Sequence, residues 1–170
     1  MDAVSTPTQL HSLNDKWDMY YHLPQDKNWS LDSYISINSS IDTIETILKL
    51  NDSLHDNIIK NTMLFIMKTG ITPMWEDPRN RDGGCFSYKI TNKFVVDVWK
   101  KLSLLLCGNS LCIKPEYNKH INGITISPKK NFCIIKIWLN VCTLQDPSII
   151  TDIPNLSTQG CLFKKHEPEY

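Results

Sequence analysis

Residues 122–138 read NGITISPKKNFCIIKIW. Two runs rich in β-branched residues, 123–127 and 132–139, flank the short basic turn SPKKN. That is the pattern of an antiparallel hairpin, and it predicts a sheet whose neighbouring strands are joined directly. Side chains alternate across a strand, so Lys136 and Trp138, two residues apart, point to the same face.

The segments on either side fit such a sheet. TMLFIMK (62–68) and CFSYKI (85–90) read as strands, as does the aromatic-rich WDMYYHL (17–23), ended by Pro24. LDSYISI (31–37) alternates apolar and polar, and GCLFKKH (160–166) reads as a last strand. Three stretches change period. In SSIDTIETILKLND, Asp42 and Glu45 form a capping pair, and Ile44, Ile47, Leu48 and Leu50 share one apolar face. FVVDVWKKLSLLLC (94–107) is a second helix, with Asn92 as its cap and Gly108 as its stop. Asp146-Pro147 opens a short third helix to about Ile153, stopped by Pro154. Strands outnumber helices and follow one another. The expected fold is α+β, an antiparallel sheet with about three α-helices on one face. Residues 1–15 are read as an irregular N-terminal arm and residues 16–170 as a single domain.

Composition narrows the function classes. The 170 residues are 41% hydrophobic and 21% charged, as in a soluble globular protein. Eighteen Lys and Arg balance 18 Asp and Glu. A chain that wraps long nucleic acid carries a basic excess, so any nucleic-acid contact here is expected to be local. The N-terminus has neither a basic n-region nor an apolar run, and CIIKIWLNVC is too short for a span and is interrupted by Lys136, so no membrane is expected. The six cysteines contain no C-x-x-C pair. They are expected to be reduced thiols in a cytoplasmic, or also nuclear, protein. In that setting the sequons at Asn28, Asn38, Asn51 and Asn155 carry no meaning. Neither a P-loop nor a dinucleotide-binding pattern occurs, and neither a metal nor a cofactor is implied.

The five tryptophans divide by context. Trp99 lies inside an amphipathic helix and reads as core, and Trp17 also reads as structural. Trp29 and Trp75 lie in polar loop segments, beside Asn28 and Glu76, and loops more often present side chains than bury them. Trp75 belongs to PMWEDPRNRDGG (73–84). Two loop tryptophans can sandwich a flat ligand, and their negative ring faces favour a cationic one. An adjacent carboxylate can accept two N–H donors from one edge of a base. N7-methylated guanine has both properties.

PMWED followed by Gly-Gly, with Trp29 upstream, resembles the eukaryotic translation initiation factor 4E family of mRNA cap-binding proteins. HSLNDKW (11–17) resembles the family's His-Pro-x-x-x-x-Trp opening, with Ser12 in place of proline. IDTIETILKLN (41–51) and VWKKLSLLLCG (98–108) resemble its first and second helices, and residues 122–138 match its hairpin ending in Ile-x-Ile-Trp. The resemblance implies a strongly curved sheet with its helices on the convex side and the cap in the concave face. It implies that Trp29 and Trp75 stack on the base, that Glu76 and the Trp75 backbone N–H read it, and that Trp138 touches the N7 methyl. It implies an arginine where Lys129 stands. Two other phosphate positions of the family are lost here, at Ile134 and Cys85. Lys136, Lys130 and the Lys164–Lys165 pair are the substitutes on offer.

The implied partner is capped mRNA, bound by a monomer in translation initiation. A second reading is a cap-holding repressor or decoy that recruits no scaffold protein. A third, a cysteine-dependent hydrolase built on Cys85, has no histidine fixed beside that thiol, and the chain is not read as an enzyme. The resemblance also implies a convex groove for a scaffold or repressor helix, formed by His11, Leu13, Ile44, Leu48, Lys100 and Lys101. A tryptophan is usual at the position of Leu48, and a leucine and a glutamate at those of Lys100 and Lys101. An altered partner mode is therefore expected.

Overall fold

The computed structural model describes residues 9–169. Its strands are β1 (Ser12–His22), β2 (Ile35–Thr43), β3 (Met63–Lys68), β4 (Gly84–Thr91), β5 (Ile121–Pro128), β6 (Phe132–Leu139) and β7 (Leu162–Lys165). They form one antiparallel sheet in the order β2-β1-β3-β5-β6-β4-β7. The helices are α1 (Ile44–Ser53), α2 (Asp56–Asn61) and α3 (Val95–Cys107). They pack together, with α3 against β1, β5 and β6, and cover the convex face of the curved sheet. Register shifts between β1 and β2 mark bulges, which bend the strand pair and increase its twist.

Strand alternation gives the sheet two different faces. Leu64 and Ile66, Ile124 and Ile126, and Cys133, Ile135 and Ile137 enter the main core beneath the helices, with Trp99 at its centre. Their neighbours Phe65, Met67, Thr125, Lys136 and Trp138 face the other way. On that side Met67, Ile71, Cys85 and Trp138 form a second, small apolar cluster against which Trp75 packs.

Several local expectations are corrected. The arm is not irregular throughout, because β1 begins at Ser12, so residues 12–15 are strand; residues 1–8 lie outside the described residues. The cap of α1 is Thr43, whose hydroxyl accepts from the Thr46 N–H at 3.3 Å, rather than Asp42. Glu45 instead reaches back to the His11 backbone N–H. Leu48 is 43% exposed, while Ile47 and Asn51 are the buried residues of α1. Phe94 rather than Asn92 is the N-cap of α3, and the Asn92 side-chain Oδ1 accepts from the Cys133 thiol at 3.7 Å. Gly108 has φ −77, and the left-handed residue that ends α3 is Asn109. The third helix expected after Asp146 is only a 3-10 turn, Pro147–Ile149, because Ile150 pairs with Cys112 in an isolated bridge. The third α-helix is α2, whose single buried residue, Ile59, is too little to show a period.

Candidate functional site

A pocket of about 700 Å³ opens on the concave face. Trp29, Tyr34, Trp75, Glu76, Lys136 and Trp138 are among its lining residues, with Thr125 and Glu169. They come from the loop after β1, the residue just before β2, the loop before β4, strands β5 and β6, and the tail after β7. Five of the residues singled out in the sequence, Trp29, Trp75, Glu76, Lys136 and Trp138, thus converge on one cavity. Lys129 and Lys130 do not line it; both are exposed at the tip of the β5–β6 turn.

One side of the pocket is the loop 72–83. Asp77 is buried and faces inward: its Oδ2 accepts from the Thr72 N–H at 2.7 Å and the Thr72 hydroxyl at 3.0 Å, and its Oδ1 from the Arg79 N–H at 2.9 Å. Asn80 is fully buried. Its Nδ2 donates to the carbonyls of Thr72 (3.0 Å) and Met74 (2.9 Å), and its Oδ1 accepts from Asn122 Nδ2 at 2.9 Å. This polar knot fixes the backbone on both sides of Trp75. The Gly-Gly that ends the loop is required by crowding. A Cβ at Gly83 would collide with the Leu139 carbonyl, and one at Gly84 with Phe163 and the Lys164 carbonyl.

The opposite side is Trp29, which is 46% exposed. Its ring lies flat on that of His22, centroids 3.9 Å apart and planes 2° from parallel. His22 is fully buried, and its ring nitrogens meet the Leu23 carbonyl at 2.9 Å and the Asn28 carbonyl at 2.7 Å, so one imidazole holds both ends of the loop. Tyr34 meets His22, Trp29 and Phe65 edge-on. Burial, and then the negative charge of Glu76, push its phenol up to about 12, so it stays a neutral hydrogen-bond donor.

Behind Trp75 stands His166, 6% exposed, roughly parallel to the indole (17°, 5.7 Å) and tilted against Trp138 (52°, 4.9 Å). Trp138 is oriented by its own N–H, which donates to the Thr125 hydroxyl at 3.2 Å. Lys164 sits over the Trp75 ring at 5.6 Å. Glu76 points to the pocket, where one oxygen accepts from the Glu169 backbone N–H at 3.4 Å.

His22, Tyr34, Asn80 and His166 were not recognised as site residues from the sequence. Tyr34 and His22 carried an available signal, since each precedes or ends an alternating strand on the same side as the loop they support. Asn80 and His166, by contrast, meet across 86 residues, and no local pattern announces it.

Cys85, the nucleophile of the hydrolase reading, is buried against Trp138. Burial pushes its thiol up, partly opposed by Lys136 and Lys164, which keeps it a weak nucleophile. Among the described residues no group of three or more His, Cys, Asp or Glu is arranged to hold a metal ion, and no helix is long and apolar enough to cross a membrane.

On the helix side the His11 carbonyl accepts from the Ile44 N–H at 2.9 Å, and Leu48 of α1 and Lys100 and Lys101 of α3 lie on two helices that pack together. Leu13 packs on the core, and Lys101 is exposed beside the half-buried Lys100. Asn51 Nδ2 bridges the helices to the Ser103 hydroxyl at 3.0 Å. His11 Nδ1 is 2.6 Å from Glu45 Oε1, which holds the Glu45 carboxyl down at about 2.

A curved antiparallel sheet, backed by helices and carrying a tryptophan-lined concave pocket, defines the class. Residues 12–166 match the profile of the family described as eukaryotic initiation factor 4E, and the chain belongs to that family. A eukaryotic translation initiation factor 4E homolog of Acanthamoeba polyphaga mimivirus is 40% identical over 87 residues, 51% of this chain and 29% of that protein. Initiation factor 4E of Eremothecium gossypii is 26% identical over 135 residues, 75% of this chain and 62% of its own. The chain therefore spans less than two thirds of the length of these curated relatives. Among solved structures, schistosome eIF4E complexed with m7GpppG and 4E-BP aligns with a TM-score of 0.68 at 27% identity, over 79% of this chain and 75% of that one.

Proposed function

We propose that this chain binds the 7-methylguanosine 5′ cap of mRNA and serves translation initiation in the cytoplasm, without a catalytic step. The observation that carries the proposal is the convergence of Trp29, Trp75, Glu76 and Trp138, from separate segments, on one concave pocket. The methylated base is a flat cation, and stacking it between two indole faces gains cation–π attraction that neutral guanine lacks. Glu76 offers two acceptor oxygens to the N1–H and N2–H₂ edge, where the base would take over the place of the Glu169 N–H. Trp138 closes the end that receives the methyl. Lys136, on the same face as Trp138, is the lysine among the pocket-lining residues and offers an ammonium for the phosphates. Lys129 and Lys130 stand further out at the hairpin tip, where they can meet a longer phosphate chain. The test is a titration followed by tryptophan fluorescence. 7-Methyl-GTP is expected to bind more tightly than GTP by about 1–3 kcal/mol, and equal affinities would sink the proposal.

The convex face is proposed to take a partner helix in an altered way. A leucine at position 48 and two lysines at 100 and 101 present a smaller anchor and a basic rim, which suit an acidic amphipathic helix. Calorimetry with a Tyr-x-x-x-x-Leu scaffold peptide is expected to show weak or no binding while 7-methyl-GTP still binds. Submicromolar affinity for that peptide would refute the altered mode.

A further inference from the structure

We propose that His166 is a positioning residue of this site: it holds the Trp75 and Trp138 rings in their working orientation from behind, although it does not line the pocket itself. The inference deepens the cap-binding proposal and rests on it. The ring is fixed by its own contacts. Nδ1 donates to the Asn80 carbonyl at 2.6 Å, and the backbone N–H donates to the Gly83 carbonyl at 3.0 Å. Both anchors belong to the loop that carries Trp75, so His166 ties the end of β7 to that loop and fills the space between two indoles. An aromatic pair contributes beyond its buried area, because its offset or tilted geometry is preferred, and the imidazole makes two such pairs at once.

The remaining nitrogen, Nε2, is buried without a protein partner. With Nδ1 carrying the proton toward Asn80, Nε2 is a bare lone pair. A second proton there would meet no acceptor and would add a positive charge beside Lys136. Burial first, and Lys136 after the opposing pull of Asn80, hold the imidazole below its ordinary value, so it is neutral near pH 7. The charged groups around it are Lys136 from β6 and Lys164 from β7, with Glu76 and Glu169 at the pocket rim and the Cys142 thiol sharing the Gly83 carbonyl. A neutral ring adds no further cation to the Trp75 π-system, which already has the Lys164 ammonium 5.6 Å from its centroid. An imidazolium behind Trp75 would compete with a cationic base for the same π-system.

The test uses protein labelled with 5-fluorotryptophan, the Trp75 resonance being assigned by Trp75→Phe. In the wild type this resonance is expected to titrate with a midpoint below 6.5, and in His166→Phe the titration is expected to vanish. His166→Ala is expected to move or broaden the resonance at pH 7.5 and to weaken 7-methyl-GTP binding several-fold to about tenfold, the range of one aromatic pair. His166→Phe, which keeps the ring, restores most of that loss. The ratio of wild-type to His166→Phe affinity for 7-methylguanosine nucleoside should fall as pH drops from 7.5 to 5, since titration of the ligand is common to both. If His166→Ala does not fold, the wild-type titration and the His166→Phe protein decide alone. A Trp75 resonance indifferent to pH and to both substitutions overturns the proposal. A Trp75 resonance that responds in a protein binding no methylated nucleotide leaves the placement of His166 intact and overturns cap binding instead.

Discussion

The two tryptophan walls of the pocket are built differently. The Trp75 wall is a buried polar knot: Asp77 and Asn80 together accept or donate six hydrogen bonds within the loop and to β5, and His166 wedges it from behind. The Trp29 wall is half open and leans on one imidazole and one phenol. Buried, fully satisfied polar groups rigidify, whereas an exposed ring on a short prop keeps local freedom. Under the proposed cap binding, the difference gives the walls distinct parts: Trp75 is the preformed platform, and Trp29 is the side expected to adjust as a ligand enters.

The largest expected effect comes from breaking the knot. Asn80→Ala removes three side-chain hydrogen bonds in a buried place, to the carbonyls of Thr72 and Met74 and from the amide of Asn122, each of which keeps one other partner. At about 0.5–1.5 kcal/mol for each hydrogen bond lost, stability should fall by roughly 1.5–4 kcal/mol, measured by urea unfolding. A loss below about 1 kcal/mol would mean that the platform is not held as described. Next is Glu76→Ala, expected to remove about 1–3 kcal/mol of binding to 7-methyl-GTP at unchanged stability. Asp77→Ala should show the opposite balance, losing stability while the base contacts survive; greater harm to binding from Asp77→Ala would exchange the roles of the two carboxylates. On the opposite wall His22→Ala should cost about 0.5–1.5 kcal/mol of binding, the value of one aromatic stack, with recovery in His22→Phe; an equal loss in both would mean that the loop bonds to Leu23 and Asn28 matter more than the stack.

Smaller again is the phosphate contribution. Lys136→Ala should reduce the advantage of triphosphate over monophosphate cap by about 0.5–1 kcal/mol, narrowing with added salt. A change confined to Lys129→Ala would move the contact to the hairpin tip. The smallest effect lies on the convex side. Glu45 titrates at about 2 against an ordinary 4.5, so its contribution is present above 4.5 and lost as pH falls through about 2. His11→Ala should return the carboxyl toward its ordinary value, read by carbon NMR, without touching the pocket.

The same contrast explains what the sequence could convey. The β5–β6 hairpin, β3, β4 and the parity of Lys136 with Trp138 follow from period-two patterning, which is local. Trp29, Trp75 and Glu76 stood out because large or charged groups in loops contradict a packing explanation. The supports did not stand out, because Asn80 reads as another polar loop residue until Asn122 and His166 arrive from distant strands. The boundaries of α1 and α3 missed for a related reason. Thr43 and Asp42, or Asn92 and Phe94, are equally plausible starts until tertiary contacts choose between them, and Asn92 was already engaged by Cys133.

The position of β7 in the chain has a consequence for biosynthesis. This strand pairs with β4, and the residue just after it reaches the loop that precedes β4, so the platform joins residues 86 positions apart in the chain. A ribosome-bound chain that has exposed residues up to about 160 carries both tryptophans, Glu76 and the whole of β6. It still lacks the edge strand and the ring behind Trp75. Folding units generally form as they emerge, at about 5–20 residues per second, but this site cannot be completed by its own early half. A growing chain therefore carries both tryptophans with an unfinished pocket, and becomes competent only once β7 and His166 have cleared the exit tunnel.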